Sequence, residues 1–317
     1  MNMAVISGTG SYLPRTKLSN KMLEKKLDTS DEWIVSRTGI RSRYIAEADE
    51  TTSFMAGEAA KNALNASGLH SNDIDLILVA TCTPDHFFPS MACHVQEALG
   101  ISRPIPAFDI SAACSGFVYA MDIAKQYIAT GAVKHVLVVG SESMSKAVDW
   151  SDRATCVLFG DGAGAVVLSA GDKPGILGSV LHASYDSEKL LTFTNETSQA
   201  SQAFIGMRGN EVFKLAVNLM GDIVDEVLQL SHLEKKDINW LIPHQANIRI
   251  IQGIAKKLSL PMSQVIVTLE EQGNTSAASI PLALDFSIRN ARVKRGDLLL
   301  LESFGGGMTW GAMVICY

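Results

Sequence analysis

An α/β fold built from two duplicated halves is what this sequence predicts, and three observations carry the prediction. Amphipathic helical stretches alternate with short, continuously apolar runs of strand length. Segments of the first half recur in the same order in the second, at a nearly constant distance. With 317 residues, 47% of them apolar, the chain has enough nonpolar surface for a large core.

The elements follow in order. A helical stretch from Ser53 to Ser67 leads to Asp73-Ile74-Asp75-Leu76-Ile77-Leu78-Val79, and a second from Glu211 to Leu230 leads to Asp237-Ile238-Asn239-Trp240-Leu241-Ile242, 164 residues later when counted from Asp73 to Asp237. Ser111-Ala112-Ala113-Cys114 and Ser276-Ala277-Ala278-Ser279 match at an offset of 165, each opening a helical pattern. The apolar runs at His135 to Val139 and Asp297 to Leu301 lie 162 apart, and each heads towards a glycine-rich turn and a last strand. Continuously apolar strands between helices imply mostly parallel sheets covered on both faces, with the helices of the two units packed together at the centre. The expected division is residues 1–172, carrying a nucleophilic cysteine, and 173–317. Ser169 to Arg208, rich in Ser, Gly, Thr and Asn, reads as the connection between the halves and as a segment that helps shape a pocket.

Composition narrows the function. A net charge of −6 gives no global attraction to nucleic acid or an anionic membrane, so neither is an expected partner. No run approaches the roughly twenty apolar residues of a membrane span, and the N-terminus lacks a signal pattern, so a cytoplasmic location is expected. The five cysteines are scattered without a Cys-x-x-Cys pair and the seven histidines lack a His-Glu-x-x-His arrangement, so no disulfide framework and no metal are expected.

Cys114 is the candidate nucleophile. A short apolar strand from Pro106 runs into small residues and then a helix, which puts Cys114 at a strand-to-helix turn where the helix dipole favours a thiolate. Cys82, Cys93, Cys156 and Cys316 read as buried structural thiols. His244 follows the strand Trp240-Leu241-Ile242-Pro243, where strand ends carry catalytic groups in α/β proteins. Asn274, in Gln272-Gly273-Asn274-Thr275-Ser276, reads equally as turn and N-cap chemistry, but duplication turns its loop towards the same seam as Cys114. Phe304-Gly305-Gly306-Gly307 offers bare backbone N–H groups for an oxyanion. Gly160-Asp161-Gly162-Ala163-Gly164 lacks dinucleotide-binding spacing and reads as a tight turn.

Taken together, the Cys114 segment, Pro243-His244-Gln245-Ala246-Asn247 and Gly273-Asn274-Thr275-Ser276-Ala277-Ala278-Ser279 resemble the beta-ketoacyl-acyl carrier protein synthase III family of condensing enzymes, from Gly8-Thr9-Gly10-Ser11-Tyr12-Leu13-Pro14 to Phe304-Gly305-Gly306-Gly307-Met308-Thr309-Trp310-Gly311. The resemblance implies a thiolase-like fold in five layers, α-β-α-β-α. It implies a decarboxylative Claisen condensation that starts bacterial type II fatty-acid synthesis. A short acyl group, that of acetyl-coenzyme A first of all, moves to Cys114; malonyl-acyl carrier protein loses CO2; and a 3-oxoacyl-acyl carrier protein and coenzyme A leave. His244 and Asn274 stabilise the enolate, and the N–H groups of Cys114 and Gly306 form the oxyanion hole. No cofactor is implied, coenzyme A arriving as the substrate's thioester.

The same resemblance assigns coenzyme A binding to Thr29, Trp33, Arg37, Thr38, Arg153, Gly209, Asn210, Phe213, Ala246, Asn247 and Arg249, with Trp33 and Arg153 clamping the adenine. Lys214, Gln245, Ala246, Asn247, Ile248, Arg249, Lys256 and Lys257 would meet the carrier protein. Phe88, Phe304 and Met308 would bound the acyl pocket, Phe88 from the neighbouring subunit of a homodimer, and Met308 stands where a bulkier aromatic is expected. Rival readings are a papain-like protease, which shares the order Cys, His, Asn but whose local signature is absent, a thiolase or hydroxymethylglutaryl-coenzyme A synthase, a condensing enzyme of secondary metabolism, and a non-catalytic acyl-thioester binding protein.

Overall fold

Each half folds as a sheet with helices on both faces. The structure is a computed structural model that describes residues 2–194 and 204–317. The first half runs β1 (Met3–Tyr12), β2 (Thr16–Ser19), α1 (Asn20–Leu23), α2 (Asp31–Thr38), β3 (Ser42–Ile45), α3 (Thr52–Ser67), β4 (Leu76–Ala80), α4 (Met91–Ala98), β5 (Ala107–Ile110), α5 (Gly116–Ala129), β6 (His135–Ser143) and β7 (Asp161–Gly171). The second runs β8 (Ile176–Ala183), β9 (Leu191–Phe193), β10 (Ile205–Met207), α6 (Gly209–Leu230), β11 (Trp240–Pro243), α7 (Ile248–Lys257), α8 (Leu269–Gln272), α9 (Ser279–Arg289), β12 (Leu298–Gly305) and β13 (Thr309–Cys316). One sheet has the order β1-β7-β6-β4-β5 and the other β11-β12-β13-β8.

The period-two alternation of strand side chains sorts the apolar runs into layers. In the first sheet Ile77, Val79, Leu137 and Val139 face outward beneath α3 and α4, while Leu76, Leu78, Val136 and Val138 face the centre. The central core also takes Phe117 and Met121 from α5, Ile280 and Leu284 from α9, and Ile242, Leu299 and Leu301 from the second sheet. On the far face Leu241, Leu300 and Val314 pack beneath Val224 and Val227 of α6 and Ile251 and Ile254 of α7. The layers are therefore helix, sheet, helix, sheet, helix, with α5 and α9 sandwiched between the sheets. Because both faces of the strands are covered, their runs are apolar throughout.

Four sequence expectations need correction. The sheets are mixed: β4 is parallel to β5 and β6, and β11 to β12, but β7 is antiparallel to β1 and β6, and β13 to β12 and β8. A parallel pair requires a crossover helix, and the connections from β6 to β7 and β12 to β13 contain none. The register of the duplication is 163, because the 3-10 turns Ala113–Ser115 and Ser276–Ala278 and the helix starts Gly116 and Ser279 coincide at that spacing. The entering residues Ala113 and Ser276 share a left-handed backbone, φ 47° and 50°. Backbone conformation rather than matching letters sets the equivalence, so Cys114 corresponds to Ala277.

Ser169 to Arg208 is also more than a connection, since Ser169 to Gly171 end β7, β8 pairs with β13 and β9 pairs with β10. Finally, Gly160 to Gly164 runs into and along β7 and is no tight turn. A Cβ on Gly160 would stand 2.5 Å from the Gln272 carbonyl and one on Gly164 2.7 Å from the Leu282 nitrogen, so the bare backbone lets the Asn274 loop and α9 lie directly on the strand.

Candidate active site

Cys114 sits in the 3-10 turn that opens α5, and the second half holds that turn in place. The Ser303 hydroxyl donates to the Cys114 carbonyl at 2.8 Å and the Thr309 hydroxyl to the Ala112 carbonyl at 2.9 Å, while Ser115 Oγ donates to the Thr309 carbonyl at 2.9 Å. A Cβ on Gly305 would lie 2.7 Å from the Cys114 nitrogen, so only glycine lets β12 pass this close. Burial pushes the Cys114 thiol up to about 11, outweighing the Ser276 hydroxyl that favours the anion. Burial thus works against the thiolate that the helix terminus is expected to favour.

His244 leaves the end of β11, its N–H bonded to the Glu302 carbonyl at 2.8 Å. Burial lowers its pKa to about 4, so the ring is neutral near pH 7. Among the described residues Nδ1 is buried with no hydrogen-bond partner, whereas Nε2 is not so enclosed and is the nitrogen able to meet a substrate. Asn274 is fixed by backbone bonds to Leu158 and Gly160, at 2.8 and 3.0 Å. Its side-chain oxygen accepts from the Ser276 N–H at 2.9 Å, so the amide's NH2 end is free to donate.

Cys114, His244 and Asn274 line one cavity of about 1620 Å³. Phe304 and Gly306 line it too, as do the β9–β10 hairpin residues Leu191, Phe193 and Met207. Cys114, His244, Asn274 and Gly306 thus line one space, a set of residues that suits acyl transfer through a covalent thioester.

Of the residues expected along coenzyme A, Trp33, Arg37, Thr38, Gly209, Asn210, Phe213, Ala246, Asn247 and Arg249 line the cavity. Thr29 and Arg153 do not, although the Arg153 guanidinium lies 5.3 Å and that of Arg37 4.5 Å from the Trp33 ring centre. A base entering between indole and Arg153 must part them. Asn247 caps α7 through Arg249 N–H at 2.9 Å and donates to the Arg37 carbonyl at 3.0 Å, so its polar atoms already tie the mouth together. Arg249 reaches over the Phe213 ring.

The carrier-protein set divides. Gln245 is buried and wholly committed, donating to the carbonyls of Pro243 (2.8 Å) and Ile266 (3.1 Å) and accepting from the N–H groups of Thr268 (2.9 Å) and Leu269 (3.1 Å). It cannot touch a partner; it braces the His244 loop. Ile248 turns inward against Gly39, where a Cβ would come within 2.6 Å of it. Lys214, Arg249, Lys256 and Lys257 are exposed, Lys257 being paired to Asp222 at 2.7 Å.

Around the acyl pocket, Met308 is buried in the outer core of the second half and does not line the cavity, because the neighbouring Gly306, Gly307 and Thr309 form the wall there. Phe88 does not line its own chain's cavity and is 86% exposed. Sequence reasoning missed Cys82, Ser276 and Glu142. Cys82 was read as structural, yet its thiol lies in the cavity wall beside Ser276, and Cys93 is exposed rather than buried. Among the described residues no group of His, Cys, Asp and Glu could hold a metal ion, and no helix is long and apolar enough to cross a membrane.

Residues 108–184 match the family described as 3-oxoacyl-[acyl-carrier-protein (ACP)] synthase III, and residues 228–317 match its C-terminal counterpart. A beta-ketoacyl-[acyl-carrier-protein] synthase III of Alkalilimnicola ehrlichii is 55% identical over 323 residues, covering 100% of both chains. The crystal structure of 3-oxoacyl-[acyl-carrier-protein] synthase III from Aquifex aeolicus superposes with a TM-score of 0.95 at 49% identity, covering 99% of this chain and 100% of that one. The priming beta-ketosynthase of the R1128 polyketide biosynthetic pathway gives a TM-score of 0.95 at 36% identity, covering 99% and 96%.

Proposed function

Since the chain belongs to the 3-oxoacyl-[acyl-carrier-protein] synthase III family, we propose that it condenses a short acyl-coenzyme A, acetyl-coenzyme A first among them, with malonyl-acyl carrier protein to start a fatty acid. The observation that carries the reading is the convergence of Cys114, His244 and Asn274 on one cavity whose mouth bears Trp33, Arg37 and Arg249. The mouth suits a nucleotide: an indole with guanidinium groups can hold a base, and arginines meet phosphates.

In the first half-reaction the Cys114 sulfur bonds to the acyl carbon and coenzyme A leaves as its thiol. In the second, malonyl thioester loses CO2, and the enolate oxygen takes hydrogen bonds from His244 Nε2–H and the Asn274 NH2 group. The enolate carbon then attacks the acyl-cysteine, whose developing oxyanion meets the N–H groups of Cys114 and Gly306. Loss of CO2 drives the carbon–carbon bond, so the chemistry asks for neither a metal nor a redox cofactor. Exposed Phe87 and Phe88, side by side, suit burial in a homodimer, Phe88 reaching the partner's acyl pocket. Lys214, Arg249 and Lys256 would draw in an acidic carrier protein.

Intact-mass analysis tests the proposal. Incubation with acyl-coenzyme A donors of increasing length should leave one acyl adduct on Cys114, discharged by malonyl-acyl carrier protein with release of CO2. No adduct with any donor would favour a thioester-binding protein. A strong preference for a longer or branched donor would favour priming of a secondary-metabolite pathway, the reaction type of the R1128 relative.

A further inference from the structure

Beneath the Asn274 loop lies an arginine that the reaction above leaves without a task. Arg43, in β3, is wholly buried, and burial lowers its pKa to about 10, so the guanidinium still carries its charge at neutral pH. Its hydrogen bonds go to neutral oxygens: Nη1 donates to the Leu18 carbonyl at 3.3 Å and to Asn20 Oδ1 at 2.8 Å, and Nη2 to the Val157 carbonyl at 2.6 Å. Enclosing a cation among neutral acceptors costs free energy, and an apolar side chain of similar volume often serves stability as well. Stability alone therefore does not account for this residue.

Its surroundings supply the task. The Asn274 N–H donates to the Leu158 carbonyl at 2.8 Å and the Asn274 carbonyl accepts from Gly160 N–H at 3.0 Å, so residues 157–160 are the bed on which the loop lies. Arg43 holds the first residue of that strip by its carbonyl and packs its stem against strip and loop together. A Cβ on Gly160 would stand 3.0 Å from Arg43 Cβ, and one on Gly273 3.1 Å from it. The two residues before Arg43 grip α8, which leads into the loop: Arg41 N–H donates to the Glu270 carbonyl at 2.8 Å and the Ser42 hydroxyl to the Glu271 carbonyl at 3.2 Å. In the other direction Asn20, also wholly buried, donates from Nδ2 to the Ile40 carbonyl at 2.7 Å and to the Asp31 carboxylate at 2.8 Å. Asp31 begins α2, which carries Trp33 and Arg37 to the cavity mouth. A run of hydrogen bonds, interrupted only by the peptide bond from Val157 to Leu158, thus joins the start of α2 to the backbone of Asn274.

We propose that Arg43 is a positioning residue of the condensation step: its guanidinium and stem fix residues 157–160, and with them the direction in which the Asn274 amide donates. The inference rests on the condensing-enzyme reading, in which that amide meets the enolate oxygen. The Ser276 N–H holds the side-chain oxygen of Asn274 from within the same loop, so the NH2 group moves wherever the loop moves. A displacement of about 1 Å at a reacting centre costs on the order of 10²-fold in rate. The Cys114 turn is held instead by Ser303 and Thr309, so acylation does not draw on Arg43.

Single-turnover rates of the two half-reactions provide the test: labelling of Cys114 by acetyl-coenzyme A, read by intact mass, and discharge of the acetylated protein by malonyl-acyl carrier protein. Arg43→Met fills the space without a donor; it should leave labelling within about twofold of wild type and slow discharge roughly 100-fold. Combined with Asn274→Ala it should cost almost nothing more than Asn274→Ala alone, because the group it positions is already gone. Arg43→Lys guards against a folding artefact, since it keeps the charge and a donor but loses the fork that spans Asn20 and Val157. It should slow discharge roughly tenfold and again spare labelling. Arg41→Ala, which removes an exposed guanidinium paired to Glu270 two positions earlier, should change neither rate by more than about twofold. Discharge at the wild-type rate in either Arg43 variant, equal slowing of both half-reactions, or a full additional loss on top of Asn274→Ala would overturn the assignment alone. A wild-type chain that no acyl-coenzyme A labels would overturn the condensing-enzyme reading and this inference with it.

Discussion

The two halves contain the same device and fill it differently. In each, a residue with left-handed backbone enters a 3-10 turn and a helix into the central layer follows: Ala113 leads to Cys114 in the first, Ser276 to Ala277 in the second. The first turn presents a sulfur to the cavity, whereas the second buries a methyl group and leaves the chemistry to its flanks, the Asn274 amide and the Ser276 hydroxyl. The strand ends diverge in the same way, β4 running into Thr81-Cys82-Thr83 and β11 into His244. On the proposed mechanism one half makes the covalent bond and the other donates hydrogen bonds, so a single scaffold brings complementary chemistry to one seam.

The division of labour breaks most completely at Cys114. Cys114→Ala should abolish the acyl adduct and lower condensation on the order of 10⁴-fold or more, the scale seen when a nucleophile is removed. A variant that still formed the adduct would place the nucleophile elsewhere, Cys82 being the other thiol on the cavity wall. Next in size, Asn274→Ala or His244→Ala should leave Cys114 able to take an acyl group yet slow its discharge by malonyl-acyl carrier protein roughly 10²- to 10³-fold, the usual loss for one donor to a developing oxyanion. Equal damage to both half-reactions would dissolve the contrast between the halves.

A third test uses pH. Burial lowers His244 from 6.5 to about 4, so the unfolded chain binds a proton in that window that the folded chain refuses. Folding stability from this group is present above about pH 6.5 and is lost as pH falls towards about 4, a change of about 3 kcal/mol at full extent. Urea unfolding should show the wild type losing that much relative to His244→Asn between neutral pH and about pH 4. Parallel pH curves would mean that the ring is solvated and can titrate during turnover.

Strand periodicity, the helix patterns and the order of repeated segments carried the layered fold in the sequence, because burial on both faces leaves a local signature in composition. The antiparallel strands left none, since direction depends on the connection and not on the strand. Cys114, His244 and Asn274 stood out because each sits at an abrupt change from an apolar run to small or polar residues. Glu142 lies within the apolar β6 pattern and Cys82 between two threonines, so only the pairing of β4 with β6 shows that they meet. Gln245 was misread for the opposite reason: a polar residue beside an exposed helix looks like surface, and its burial depends on Ile266, Thr268 and Leu269, residues more than twenty positions away.

The smallest predicted effect concerns two adjacent lysines on the hydrogen-bonding half. Lys256 and Lys257 end α7, the helix whose first turn brings Arg249 to the cavity mouth. Lys256 follows Arg249 by seven positions, two turns of helix, and so shares its face. Lys257 points instead to α6, where its ammonium meets Asp222 at 2.7 Å and the Asn218 carbonyl at 3.0 Å. Charge already neutralised by a neighbour steers a partner less than free charge does. Lys256→Glu should therefore raise the KM for malonyl-acyl carrier protein about five- to tenfold, more at low salt, while Lys257→Glu should raise it about twofold. Steady-state kinetics with acetyl-coenzyme A saturating would separate the two, and equal effects would mean that the carrier protein approaches over α6 as well as along the Arg249 face.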